Sequence, residues 1–161
     1  MMAIQKLEAL ADEAIQSKMA AGLAVGVVRD GEVVYTKGFG VRDANTGEPV
    51  TEHTLFHTAS ISKTFVATAL VQLMERGKVD LDHPVVRYLP YFRLNDPRCE
   101  QITVRQMLTH TSGMPDTGDY AWDRPQYDDD ELENYVRSLA PLKLDANPGE
   151  RHAYSNIAYE V

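Results

Sequence analysis

Apolar residues recur at Ile4, Leu7, Leu10, Ala11, Ala14, Ile15 and Met19, the spacing that puts one face of an α-helix against a core. The pattern predicts a first helix, with Gly22 as its stop. The period then changes. "LAVGVVRDGEVVYTKGFG" holds two β-rich runs around Asp30-Gly31, a favoured two-residue hairpin turn, with Val25, Val27, Val33 and Tyr35 on the strands. Asn45, Gly47 and Pro49 punctuate the loop "VRDANTGEPVT". "FHTASISKTFVATALVQLME", Phe56 to Glu75, reads as one helix whose buried side is Ile61, Phe65, Val66, Ala69, Leu70, Leu73 and Met74, ended by Gly77.

"DLDHPVVRYLP" predicts a short capped helix stopped by Pro90. Thr103 and Gln106 form a capping-box pattern ahead of Val104, Met107 and Leu108. "HTSGMPDTGDYAWDRPQY" is a long Gly- and Pro-broken loop, followed by a helix from about Asp129 to Leu139 and a turn at Asn147-Pro148-Gly149. "RHAYSNIAYEV" reads as a loop turning into a new helix. The order is helix, hairpin, then a run of helices, which predicts an α+β fold: a sheet region over 1–50 and a mainly helical region over 51–161 of one domain. Two strands are marginal alone in water, so the chain is expected to be the front section of a larger fold.

Composition narrows the function. With 161 residues, 43% of them apolar, one domain with a real core is expected. A net charge of −8 offers no basic stripe for phosphates, so no nucleic acid is expected as a partner. Part of that acidity, at Asp128, Asp129, Asp130, Glu131 and Glu133, suits the positive end of a helix. Cys99 is the single cysteine, and its neighbours Pro97, Arg98 and Glu100 suggest a surface loop. No run of ~20 apolar residues suggests a membrane span. Charged residues Lys6, Glu8, Asp12, Glu13 and Lys18 interrupt the N-terminus, unlike a secretion signal, so a cytoplasmic location is expected.

The chemistry concentrates at Ser60 and Lys63. A lysine three residues after a serine lands on the same helix face. The pair is either a cap with a solvated lysine or a nucleophile with a base. In the second case the helix start supplies positive potential that lowers the lysine's pKa and favours negative charge developing at the serine. Tyr154-Ser155-Asn156 adds a second set. A phenol beside a lysine cation loses its proton more easily and becomes a base, and an amide such as Asn156 can hold the lysine and bond a substrate carbonyl. Taken alone, Tyr154 also fits a half-buried loop tyrosine. His53 and His57 sit four apart, with His83, His110 and His152 elsewhere, but His53 precedes the helix and no H-E-x-x-H occurs, so neither metal nor cofactor is expected.

Three blocks, "FHTASISKTFVATALVQLMERGKVDLDHPVVRYLP", "ITVRQMLTHTSGMP" and "PGERHAYSNIAYEV", come in an order and at spacings that resemble the penicillin-recognising serine hydrolases. The likeness is to the branch of class C β-lactamases, D-Ala-D-Ala peptidases and β-lactamase-fold carboxylesterases. It implies a β-lactamase/transpeptidase-like fold, of which this stretch is the N-terminal helix, hairpin and most of the helical subdomain. It also implies Ser60 as acylated nucleophile, Lys63 as its partner base, Tyr154 as general acid/base and Asn156 as the residue that binds substrate and lysine. His110-Thr111-Ser112-Gly113 matches a loop that is mostly structural. The family's third motif, a Lys/His-Thr/Ser-Gly strand that supplies a second oxyanion donor, comes later than Val161. Tyr120 and Trp122 are expected either to line the acyl pocket or to form an exposed aromatic loop. The substrate implied is a small ester or amide. The rival reading is a non-catalytic fragment or paralogue that docks a partner, a second copy or a C-terminal section through its open sheet edge.

Overall fold

A computed structural model describes residues 2–118, 120 and 123–161. The chain divides into two compact units, Met1–Thr58 and Ala59–Val161.

In the smaller unit, helix α1 (Met2–Gln16) precedes the antiparallel strands β1 (Gly22–Arg29) and β2 (Glu32–Gly40). The helix does not run to Gly22. Lys18 takes the left-handed position (φ 60), and the Met19 and Lys18 N–H groups donate to the carbonyls of Ala14 and Ile15. These two hydrogen bonds close the helix as they do around a glycine, and they free Gly22 to open β1. The hairpin turns where expected: Asp30 and Gly31 both have positive φ (52 and 81), which matches the twist of the two strands. Strand register runs from Gly22 opposite Gly40 to Arg29 opposite Glu32, with an irregularity between Val27 and Val28. Glu8 of α1 ties helix to hairpin, accepting from the Tyr35 hydroxyl at 2.9 Å and the Lys37 ammonium at 2.8 Å.

The larger unit is helical. A 3-10 turn at Ala59–Ile61 leads into α2 (Ser62–Glu75), so the helix starts later than the expected Phe56. Gly77, at φ 66, closes it with bonds from Lys78 N–H to Leu73 and from Gly77 N–H to Met74. The expected helix before Pro90 is a single 3-10 turn, Val85–Arg87. At α3 (Val104–Leu108) the predicted capping box is present: Thr103 accepts from Gln106 N–H, and the Gln106 side chain accepts from Thr103 N–H. Helices α4 (Glu131–Ser138) and α5 (Ile157–Glu160) complete the unit.

Phe92 and Ile102, with no exposed surface, centre the core, together with Met114, Val136 and Ile157. Cys99 joins them at 2% exposure, not at the surface as its neighbours suggest. Asp96 explains this: its carboxylate caps the turn Pro97–Gln101 through Arg98 N–H, which rotates Cys99 inward and leaves Glu100 in water. The expected buried side of α2 is the main departure. None of its residues is buried; Phe65 is 70% exposed and Ile61, just before it, 62%. A helix buries a face only where another layer lies opposite, and of this stripe Leu70 packs on the core. Beside it an open apolar groove of about 470 Å³ runs between Val66 and Leu70 of α2, Met107 and Leu108 of α3, and Ala158 and Val161.

Asp96 also accepts from Leu144 N–H and from the Arg98 guanidinium. Arg98 holds its carboxyl well below the usual aspartate range, against the push of burial. A carboxyl depressed in the folded state contributes stability that is present above the unfolded pKa of ~3.9 and is lost as pH falls through the folded value. Asp96→Asn should therefore lower the melting temperature at neutral pH. The gap to wild type should narrow as pH falls below ~4; a constant gap in thermal melts from pH 7 to pH 2 would refute this.

Candidate active site

Ser60 lies on the 3-10 turn just ahead of α2, and Lys63 in the first turn of the helix. The residue before the serine, Ala59, is held at φ 46, in the left-handed region that a side chain enters only with strain. The cap reading of Ser60 fails. Ile61 occupies the N-cap position of α2 with no side-chain cap, and the Ser60 hydroxyl instead lies 2.7 Å from the Tyr154 phenol oxygen, in a hydrogen bond across 94 positions of sequence. Lys63 Nζ donates to Asn156 Oδ1 at 2.6 Å. Its ammonium also lies 5.1 Å from the Tyr154 ring centre and 5.4 Å from that of Tyr159, within cation–π range. Ser60, Lys63, Tyr154 and Asn156 are thus one cluster.

Tyr154 and Asn156 reach it because the segment between the turn at Asn147 and α5 is docked on the loop at 110–116. Ala153 N–H donates to the His110 carbonyl at 2.8 Å, and Ser155 N–H to His110 Nδ1 at 3.3 Å. The Ser155 hydroxyl donates to the Pro115 carbonyl at 2.8 Å and accepts from Ala158 N–H at 3.1 Å. The loop can make this surface because His110 (φ 56) and Gly113 (φ 76) both turn left-handed. A Cβ on Gly113 would sit 2.3 Å from the Ala146 carbonyl oxygen. The His110 ring stacks on Tyr154 with centres 4.3 Å apart. Burial, then the electrostatic influence of His152 and Lys63, holds that imidazole below the usual histidine range. His110 is therefore a contact of Tyr154, a finer placement than the loop motif alone conveys.

Asp116 was not legible as part of the site. Its carboxylate accepts from Asn156 N–H at 3.0 Å, from Asn156 Nδ2 at 3.3 Å and from the Tyr120 hydroxyl at 2.9 Å. The only signal for it in the sequence is its place directly after "HTSGMP". Tyr120, expected in an acyl pocket or an exposed loop, has its oxygen 2.9 Å from Asn156 Nδ2, from which it accepts. Trp122 lies outside the described residues.

The Tyr154 phenol is 46% exposed. Hydrogen bonding from Lys63, then from Ser60, holds it below the usual tyrosine range, against partial burial and the charge of Asp116. The arrangement is a hydroxyl bonded to a phenol whose proton is loosened by a neighbouring cation.

The Beta-lactamase family model matches residues 7–161, so the chain belongs to the Beta-lactamase family, the superfamily of serine β-lactamases and penicillin-binding proteins, and has their β-lactamase/transpeptidase-like fold. It is 35% identical over 168 residues to esterase EstB of Burkholderia gladioli, covering 97% of this chain and 43% of the esterase. Among solved structures it superposes on the octameric penicillin-binding protein homologue from Pyrococcus abyssi with a TM-score of 0.82 at 32% identity, over 98% of this chain and 37% of that one. The D-amino acid amidase from Ochrobactrum anthropi SV3 matches with a TM-score of 0.72 at 29% identity, over 94% and 41% of the two chains. The chain thus spans less than half the length of these relatives.

Because Lys63 is the largest influence on Tyr154, Lys63→Met should raise the Tyr154 pKa. Titration of ¹³Cζ-labelled tyrosine by NMR measures it. An unchanged Tyr154 resonance profile in a folded variant would show that the two do not interact.

Proposed function

We propose that the protein is a serine hydrolase that acts through an acyl-enzyme on a small ester or amide. The observation that carries this reading is the 2.7 Å hydrogen bond between Ser60 and a Tyr154 whose phenol is shifted toward its ionised form. In the first step the Tyr154 phenolate takes the Ser60 proton as Oγ bonds to the substrate carbonyl carbon. As the tetrahedral adduct collapses, the C–O or C–N bond breaks and Tyr154 returns the proton to the departing alcohol or amine. Water, deprotonated by the same phenolate, then bonds to the acyl carbon; the bond from that carbon to Ser60 Oγ breaks, Tyr154 gives Oγ the proton, and the acid departs. Lys63 keeps Tyr154 ionisable through its charge, and Asn156 holds Lys63 by its carbonyl oxygen. In this reading the Ser60 N–H, just ahead of α2, serves as an oxyanion donor. Esterase EstB and the D-amino acid amidase support the ester-or-amide class.

A fluorophosphonate probe, mapped by peptide mass spectrometry, should label Ser60, and Ser60→Ala should abolish labelling. Labelling at Ser62 or Ser155, or none in a preparation that hydrolyses p-nitrophenyl esters, overturns the assignment. A panel of p-nitrophenyl esters, a chromogenic cephalosporin and a D-Ala-D-Ala peptide then separates esterase, β-lactamase and peptidase activity.

One observation favours a second reading, in which this chain associates through its uncovered surface: Ile61, Phe65 and Val66 around α2 are 62%, 70% and 44% exposed. Light scattering on the 161-residue chain should then show dimers or larger species. A monomer at tens of micromolar would remove this reading and leave the first untouched.

A further inference from the structure

We infer that Asp116 is a positioning residue whose carboxylate decides which end of the Asn156 side chain faces Lys63. The inference rests on the reading of Ser60, Lys63, Tyr154 and Asn156 as the reacting group. An asparagine amide can turn by 180° at almost no steric cost, so its orientation is set by its neighbours. Here both ends are specified. Lys63 has only hydrogens to give, and it requires the carbonyl oxygen. A carboxylate only accepts, so Asp116 requires the NH₂. The observed contacts match: Oδ1 is 2.6 Å from Lys63 Nζ, while Nδ2 is 3.3 Å from Asp116 Oδ2 and 2.9 Å from the Tyr120 oxygen. Tyr120 is available as an acceptor because its own proton goes to Asp116 at 2.9 Å. Asp116 therefore orients the amide twice, directly and through Tyr120.

The other oxygen anchors the carboxylate itself, accepting from Asn156 N–H at 3.0 Å. Burial raises the Asp116 carboxyl, but the Tyr120 hydroxyl and the backbone N–H groups of Asn156, Thr117 and Ile157 outweigh it and hold the group below the usual aspartate range. It is ionised wherever Tyr154 titrates.

Asp116→Asn exposes the mechanism. The new side chain has one NH₂ to place. Facing the Asn156 backbone N–H, that NH₂ meets a donor that cannot move. Facing Tyr120 and Asn156 Nδ2, it meets a hydroxyl that can rotate and an amide that can flip. The flip puts Asn156 NH₂ toward Lys63, and two donors then face each other. Lys63 leaves its place, and Tyr154 loses the cation that lowers it. Two influences on Tyr154 now oppose. If Asp116 acted by charge alone, removing a nearby negative charge would lower the Tyr154 pKa further. If it acts by orienting Asn156, the pKa rises. Among the described residues the other titratable groups near Tyr154 are Lys63, His110 and Tyr159; their side chains are unchanged by the substitution, although His110 loses the upward influence of Asp116.

The test is a ¹³Cζ-tyrosine titration of the 161-residue chain and its Asp116→Asn variant, with folding checked by amide NMR dispersion. The Tyr154 pKa should rise by at least about 0.5 in the variant. A fall or no change overturns the inference. Should the variant not fold, hydrogen exchange in wild type decides: the Asn156 side-chain NH₂ should exchange several-fold more slowly than that of exposed Asn45, and equal rates overturn the inference. Neither readout needs turnover. A raised Tyr154 with Ser60 never labelled would sink the proposed function and keep this inference; labelled Ser60 with a lowered Tyr154 would do the reverse.

Discussion

Ser155 has no exposed surface, and a hydroxyl buried that deeply must find partners or destabilise the fold. It finds two: the Pro115 carbonyl below it and the Ala158 N–H at the start of α5. Everything at the site follows from that seat. With Ser155 seated in the loop at 110–116, the residues on either side of it, Tyr154 and Asn156, reach Ser60 and Lys63 while still resting on His110 and Asp116 of that loop. The residue that looks spare between two chemical ones is the fastening that aims them.

Lys63, half-buried in the first turn of α2, is held by an amide oxygen and by the faces of Tyr154 and Tyr159. A neutral acceptor fixes the ammonium without cancelling its charge, and Lys63 is left to lower the Tyr154 phenol. The Asp116 carboxylate stands one residue back and touches Asn156 instead. Inserting an amide between the anion and the cation separates two jobs: fixing geometry and supplying potential.

Much of this was legible from residue types. Asp30-Gly31 has to turn a hairpin, Thr103 and Gln106 have to cap a helix, and Gly77 has to end one; each rule acts within a few residues and survived intact. The grouping of Ser60 and Lys63 is equally local, and the pairing with Tyr154 and Asn156 came from the order of three sequence blocks. What stayed hidden was non-local. Cys99 was misplaced because its polar neighbours dominate the pattern, whereas its direction is decided by Asp96 and by Leu144, 48 positions beyond that aspartate. Asp116 was passed over because an aspartate after a proline looks like ordinary loop chemistry. The stripe on α2 was read correctly as apolar and wrongly as buried, since periodicity identifies a face but not what lies across from it.

The 94-residue separation of Ser60 from Tyr154 has a consequence during synthesis. At roughly 5–20 residues per second, α2 leaves the ribosome on the order of ten seconds before its hydrogen-bonding partners exist. Throughout that interval Phe65 and Val66 are in water, and the helix has no polar anchor at its reactive end. Helix formation itself takes about a microsecond, but a 14-residue helix without partners is marginal in water, so the nascent chain waits with α2 forming and melting and its apolar side chains exposed. Apolar surface exposed for that long makes a nascent chain aggregation-prone, the hazard that chaperones exist to limit.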